Sequence, residues 1–99
     1  MNATLCKAIQ QKRVIRFLYD GDLRVVEPFC HGVSTAGHEV LRGYQMRGQS
    51  ESHELGWKLF TVSEMSGLTI TDETFNGVRK FYRPNDQAMT KFFCRVPKT

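Results

Sequence analysis

The chain has 99 residues, 40% of them hydrophobic, with 14 Lys and Arg against 10 Asp and Glu for a net charge of +4. That length allows one domain with a single modest core and excludes a core plus a separate catalytic domain. Its longest apolar runs fall well short of the roughly 20 residues of a membrane-spanning helix, and Met1 to Cys6 lacks a basic-then-apolar leader pattern, so a cytoplasmic protein with no membrane partner is expected.

Thr4 to Arg13 predicts a short helix capped by Asn2 or Thr4, with Leu5, Ala8 and Ile9 on one stripe. Val14 to Tyr19 changes to β character, and Asp20-Gly21-Asp22 is a hairpin turn because Asp-Gly readily adopts positive φ. Leu23 to Phe29 is the second strand, with Pro28 marking an edge or a bend. Cys30 to Gly37 reads as a loop, His38 to Met46 as the third strand, and Arg47 to Gly56 as a polar, mobile connection. Trp57 to Val62 is the fourth strand, Ser63 to Gly67 a turn, and Leu68 to Thr71 a short fifth strand. Five short strands after a helix predict a mainly β, α+β fold built on a small curled sheet.

The charge is unevenly placed. Residues 1 to 78 hold eight Lys/Arg and nine Asp/Glu, whereas residues 79 to 99 hold six and one. In that tail Arg79, Lys80, Arg83, Lys91, Arg95 and Lys98 are interleaved with Phe81, Tyr82, Phe92 and Phe93, a mixture able to bind a nucleic-acid backbone while stacking bases. Phe92 and Phe93 are expected instead to anchor the tail. Asp72 to Pro84 reads as irregular, Asn85 or Asp86 as the cap of a short helix to Thr90 or Lys91, and Cys94 to Thr99 as an exposed end or edge strand.

Cys6, Cys30 and Cys94 are odd in number and far apart, so buried reduced thiols are expected rather than a disulfide framework or a Cys-x-x-Cys site. Cys30, His31, His38 and His53 match no closed zinc spacing. No metal or cofactor is therefore expected. Nor is catalysis: Ser34 and Thr35 stand near His31 and His38 without an orienting acid. Glu27, the best single acid, is expected to pair with a strand Arg or to accept N–H bonds at the Pro28 bend.

Alternation along the strands directs Arg24, then Arg42 with Tyr44, then Lys58 with Phe60 to one side, and Leu41 and Leu59 to the other. Trp57 alternates with Lys58 and is assigned to the core. The basic side chains offer charge-assisted hydrogen bonds, and Tyr44 and Phe60 offer flat surfaces for a base. His31, His53 and Arg47 are placed at the border of this groove.

Ala8-Ile9, Arg13, Phe17-Leu18-Tyr19, Arg24-Val25-Val26-Glu27-Pro28, Glu39 to Tyr44 and Lys58-Leu59-Phe60 follow one another as the corresponding elements do in the WYL domains of bacteria, which the chain resembles over residues 3 to 70. Glu39 and Val40 stand where that family has Trp and Tyr, and Ser63-Glu64-Met65 where it has Asp-Arg-Ile. The resemblance implies a small SH3-like or Sm-like barrel over residues 1–71; residues 72–99 lie outside the family core and read as a basic, aromatic-containing C-terminal extension packed on the barrel. It also implies a ligand-sensing module for nucleotides or nucleic acid, working through an Arg- and Tyr-bearing groove. The expected function is thus a sensor or accessory factor binding an anionic nucleotide or single-stranded nucleic acid at Arg24, Arg42, Tyr44 and Lys58. A protein-interaction module pairing with another copy or a regulator through an open strand edge is the alternative. A small nuclease using His31 or Glu27 comes last.

Overall fold

The computed structural model describes residues 1–49 and 54–98. The one α-helix among the described residues, α1 (Ala3–Gln11), starts where the Asn2 side chain accepts the Leu5 N–H at 3.0 Å. It stops at Lys12, whose left-handed backbone lets its N–H reach the carbonyls of Ala8 and Ile9. Leu5, Cys6, Ala8 and Ile9 form its buried stripe. Arg13, expected in the helix, instead opens strand β1 (Arg13–Tyr19). The remaining strands are β2 (Asp22–Ser34), β3 (Glu39–Gly48), β4 (Gly56–Thr61), β5 (Ser66–Thr74) and β6 (Met89–Arg95), with a 3-10 turn at Val62–Glu64.

The strands lie in the order β4-β3-β2-β1-β5, every pairing antiparallel, with β6 added to the far half of β2. This antiparallel meander, whose fifth strand returns to the first after a 3-10 turn, gives a small α+β barrel-like fold. Its centre is packed by Ile15, Phe17, Val26, Leu41 and Phe60, each at most 1% exposed, with Leu5 and Ile9 of α1 in the same cluster. Among the described residues no helix is long and apolar enough to cross a membrane.

Two further expectations about the secondary structure are overturned. Residues 30–34 are strand rather than loop, because β2 outruns β1 and finds two new partners. Cys30 to Val33 pair with Glu39 to Arg42 on one side, while Cys30 to Ser34 pair with β6 on the other. Gly32 permits that second pairing, since a Cβ there would collide with the Lys91 carbonyl. The predicted helix after Asn85 is absent: Asp86 caps only a turn, accepting the Ala88 N–H at 2.9 Å, and Met89 onward is drawn into the sheet.

The cysteines depart furthest. Cys6 of α1 and Cys94 of β6 form a disulfide with Cα atoms 5.6 Å apart. They are 88 residues apart in sequence and are neighbours only because α1 lies against β6. Cys94 pairs with His31 across the ladder, while Cys30 contacts Tyr82. Cys30 is a buried free thiol, as expected.

Candidate functional site

The outer faces of β3 and β4 carry the surface on which the C-terminal segment is seated. Antiparallel pairing sets Tyr44 opposite Trp57 and Arg42 opposite Leu59, so these four side chains leave the sheet on the same side. Trp57 is half-buried and does not enter the barrel centre. It meets Tyr44 edge-on at 5.5 Å, Phe29 at 5.0 Å, and Tyr82 nearly parallel at 5.9 Å and 17°. Phe29 in turn packs Phe75 and Tyr82 at 5.3 and 4.7 Å. The C-terminal segment is thereby seated on the barrel by aromatic contact.

Three polar anchors fix that segment above the sheet. Arg79 forks onto Glu27 at 2.8 and 3.1 Å and lies 3.9 Å over the Tyr44 ring. The Trp57 indole N–H donates to the Lys80 carbonyl at 2.9 Å. Arg42 forks onto Asp86 at 2.6 and 3.3 Å. Behind them the Tyr82 hydroxyl donates to the Val96 carbonyl and lies 3.5 Å from the Cys30 sulfur. Burial pushes the Tyr82 phenol and the Cys30 thiol up from their ordinary pKa values, so both are protonated near neutral pH. Burial would also raise Asp86, but the bonds from Arg42 and the Ala88 N–H outweigh it and hold the carboxyl below its usual value.

Between the anchors the segment leaves a cleft made of two adjoining hollows. One, of about 390 Å³, is bounded by Arg42, Trp57, Phe81, Tyr82, Arg83 and Asp86. The other, of about 370 Å³, is bounded by Tyr44, Gly56, Trp57, Arg79, Lys80 and Phe81. Trp57 and Phe81 border both hollows, Arg83 only the first and Lys80 only the second. Phe81 is 72% exposed and has φ of 70°. A non-glycine residue pays roughly 1–2 kcal/mol for that left-handed backbone, and the conformation holds a bare aromatic ring at the cleft mouth. Arg42 and Arg79 are each neutralised by a carboxylate. Lys80 and Arg83 make no ion pair among the described residues. The cleft thus offers an aromatic floor with an uncompensated cation toward each end.

Of the residues expected to form the site, the structure brings only Arg42 and Tyr44 to this surface. Arg24 stands opposite Phe17 and is 4% exposed. Its guanidinium bonds the Gln45 side chain and the Tyr19 carbonyl, both at 3.3 Å, leaving Nε without a partner. Lys58 pairs with Gly43 and Phe60 with Leu41, so both take the side opposite Arg42; Phe60 is 1% exposed and presents no face to a base. Alternation was right within each strand, but hairpin register decides which alternating sets coincide. Arg47 makes an exposed ion pair with Glu73 at 2.6 Å.

His31 has no exposed surface; its Nδ1 meets the Val40 carbonyl at 2.9 Å and its Nε2 accepts the Asn2 N–H at 3.0 Å. His53 lies outside the described residues. Glu27 finds its arginine in the tail, at Arg79, and not in a neighbouring strand. Sequence reasoning placed Trp57 in the core and left Phe81, Tyr82, Arg83 and Asp86 out of the site. The interleaving of cations and aromatics over 79–83 was the available signal.

The chain matches no protein-family model, no curated protein and no solved structure.

Proposed function

We propose that this protein is a cytoplasmic ligand-binding module, acting as a sensor or accessory factor, whose cleft over Trp57 takes an anionic ligand with a planar ring, a nucleotide or a short stretch of single-stranded nucleic acid. The observation that carries this reading is the placement of Lys80 and Arg83, cations without a carboxylate partner among the described residues, on the two sides of a Trp57 and Phe81 divide. Bases stack on aromatic rings whatever their identity, and phosphates seek uncompensated cations. The resemblance to WYL domains points to the same ligand class.

Trp57 is the only tryptophan of the chain, so its fluorescence reports on the cleft. Titration with nucleotides and short oligonucleotides is expected to quench it, with affinity falling steeply as salt rises. The double variant Lys80→Ala with Arg83→Ala should lose this binding while keeping the fold. An unchanged titration in that variant removes the assignment.

One observation favours a second reading, a protein-interaction module. Leu55, Leu59 and Val78, each next to or paired with a residue bordering the cleft, are exposed together with Phe81, and β4 ends the sheet order. An apolar partner strand added there would bind with little dependence on ionic strength, which separates the two readings.

A further inference from the structure

We propose that the Cys6–Cys94 disulfide is a redox clamp that holds the wall of the cleft in place. Cys94 is followed immediately by the two residues that tie β6 to that wall. Arg95 donates to the Pro84 carbonyl at 3.0 Å and to the Asn85 side chain at 3.2 Å. Val96 donates its N–H to the Phe29 carbonyl at 2.8 Å and accepts the Tyr82 hydroxyl. Tyr82, stacked on Trp57, borders the cleft, and residues 84 and 85 lead directly to Asp86.

The bond gives strand β6 a second attachment. Among the described residues the strand pairs with β2 alone, outside the barrel order, so one of its edges has no strand beside it. The disulfide instead joins it to α1, whose Leu5, Ala8 and Ile9 are sunk in the core. Without the covalent tie, β6 is an edge strand held on one side by β2, the kind of segment that opens locally at lower free energy than the strands flanked on both sides. The barrel order β4-β3-β2-β1-β5 does not include it.

The clamp is accessible to exchange on one side. Cys94 is partly exposed, whereas Cys6 is 7% exposed. A thiolate of a dithiol reductant attacks the Cys94 sulfur, the S–S bond breaks, and Cys6 leaves as a thiolate and takes up a proton. The second thiolate of the reductant then displaces Cys94, which is protonated in turn. The reductant ends as a disulfide and the protein as two thiols, a transfer of two electrons and two protons. In a cytoplasmic protein a disulfide is typically transient and redox-sensing, which suits the compartment proposed above. Opening of the wall is a property of the chain itself; only its consequence, release of the cleft's occupant, rests on the functional reading.

The test uses the full chain without ligand, before and after treatment with dithiothreitol. Free thiols should rise from one to three. Tryptic cleavage after Arg79 and Lys80 should then accelerate by about tenfold, which corresponds to about 1.4 kcal/mol of lost restraint. Cleavage after Arg16, in β1 between β2 and β5, should rise only with the loss of global stability and stay slower than at Arg79 and Lys80, far-UV circular dichroism should persist, and Trp57 emission should shift to the red. The double variant Cys6→Ser with Cys94→Ser should reproduce this without reductant. Unchanged cleavage at Arg79 and Lys80 with three thiols free overturns the clamp, as does cleavage at Arg16 that is as fast as at those two sites, the mark of a bond that staples the whole fold and not the wall. Three free thiols in protein purified without reductant also overturn it.

Discussion

Arg42 of β3 and Asp86 of the C-terminal segment meet in a forked ion pair, Nε to Oδ2 at 2.6 Å and Nη2 to Oδ1 at 3.3 Å, across 44 residues of sequence. The same carboxylate caps the turn that follows by accepting the Ala88 N–H. One side chain therefore both closes the end of the cleft and sets up the path into β6. Asp86→Ala removes both functions and should lower stability by about 1–3 kcal/mol, the cost of leaving a partly buried charged partner unmatched. Asp86→Asn keeps an acceptor for the Ala88 N–H and should cost less. Urea denaturation of the two variants checks the order. Because Asp86 is held below its ordinary pKa in the folded protein, its contribution is complete above the unfolded value and is lost as pH falls through the folded one.

His31 predicts a second pH dependence, at higher pH. Burial, the largest influence, lowers its pKa against the opposing effects of the Val40 carbonyl and Glu39. Protonation would also remove the acceptor on which the Asn2 N–H depends. The unfolded chain takes up this proton near the ordinary value of about 6.5, so stability should be complete above that pH, decline as pH drops toward the lower folded value, and level off beneath it. Thermal midpoints measured between pH 8 and 5 should show this decline, and His31→Phe should flatten it.

Phe81 should show stability and binding pulling in opposite directions. Phe81→Gly relieves a left-handed backbone at φ of 70° and removes little buried surface from a residue that is 72% exposed. The variant should be no less stable and could gain up to about 1 kcal/mol, less whatever is lost to the greater freedom of glycine in the unfolded chain. If the ring serves the cleft, quenching of Trp57 by nucleotides should weaken in the same variant. A thermal melt and a fluorescence titration on one sample decide both halves.

Loss of the disulfide should also be visible in global stability. Cys6→Ala with Cys94→Ala releases a loop spanning 88 residues of sequence. On the chain-entropy account such a closure is worth about 4–5 kcal/mol, and measured native disulfides give about 2–5. Denaturant unfolding of the oxidised protein and the double variant, with Cys30 unaltered, measures the difference.

The sequence alone determined the helix, the five strands that follow it, their turns and a small curled α+β sheet, while the barrel was what the resemblance to WYL domains implied. Those features rest on local physics: a polar cap before an apolar stripe, alternation within each strand, and Asp20-Gly21 favouring a tight turn. It also showed that cations and aromatics are concentrated after residue 78. Only the tertiary structure decided which of these side chains meet. Lys58 and Arg42 each alternate correctly within their own strands, yet the pairing of Gly43 with Lys58 separates them onto opposite faces. Arg42 with Asp86, Glu27 with Arg79, and Cys6 with Cys94 join partners 44, 52 and 88 residues apart. Register and long-range contact are set by the combined burial of all the strands, so no local stretch of residues specifies them.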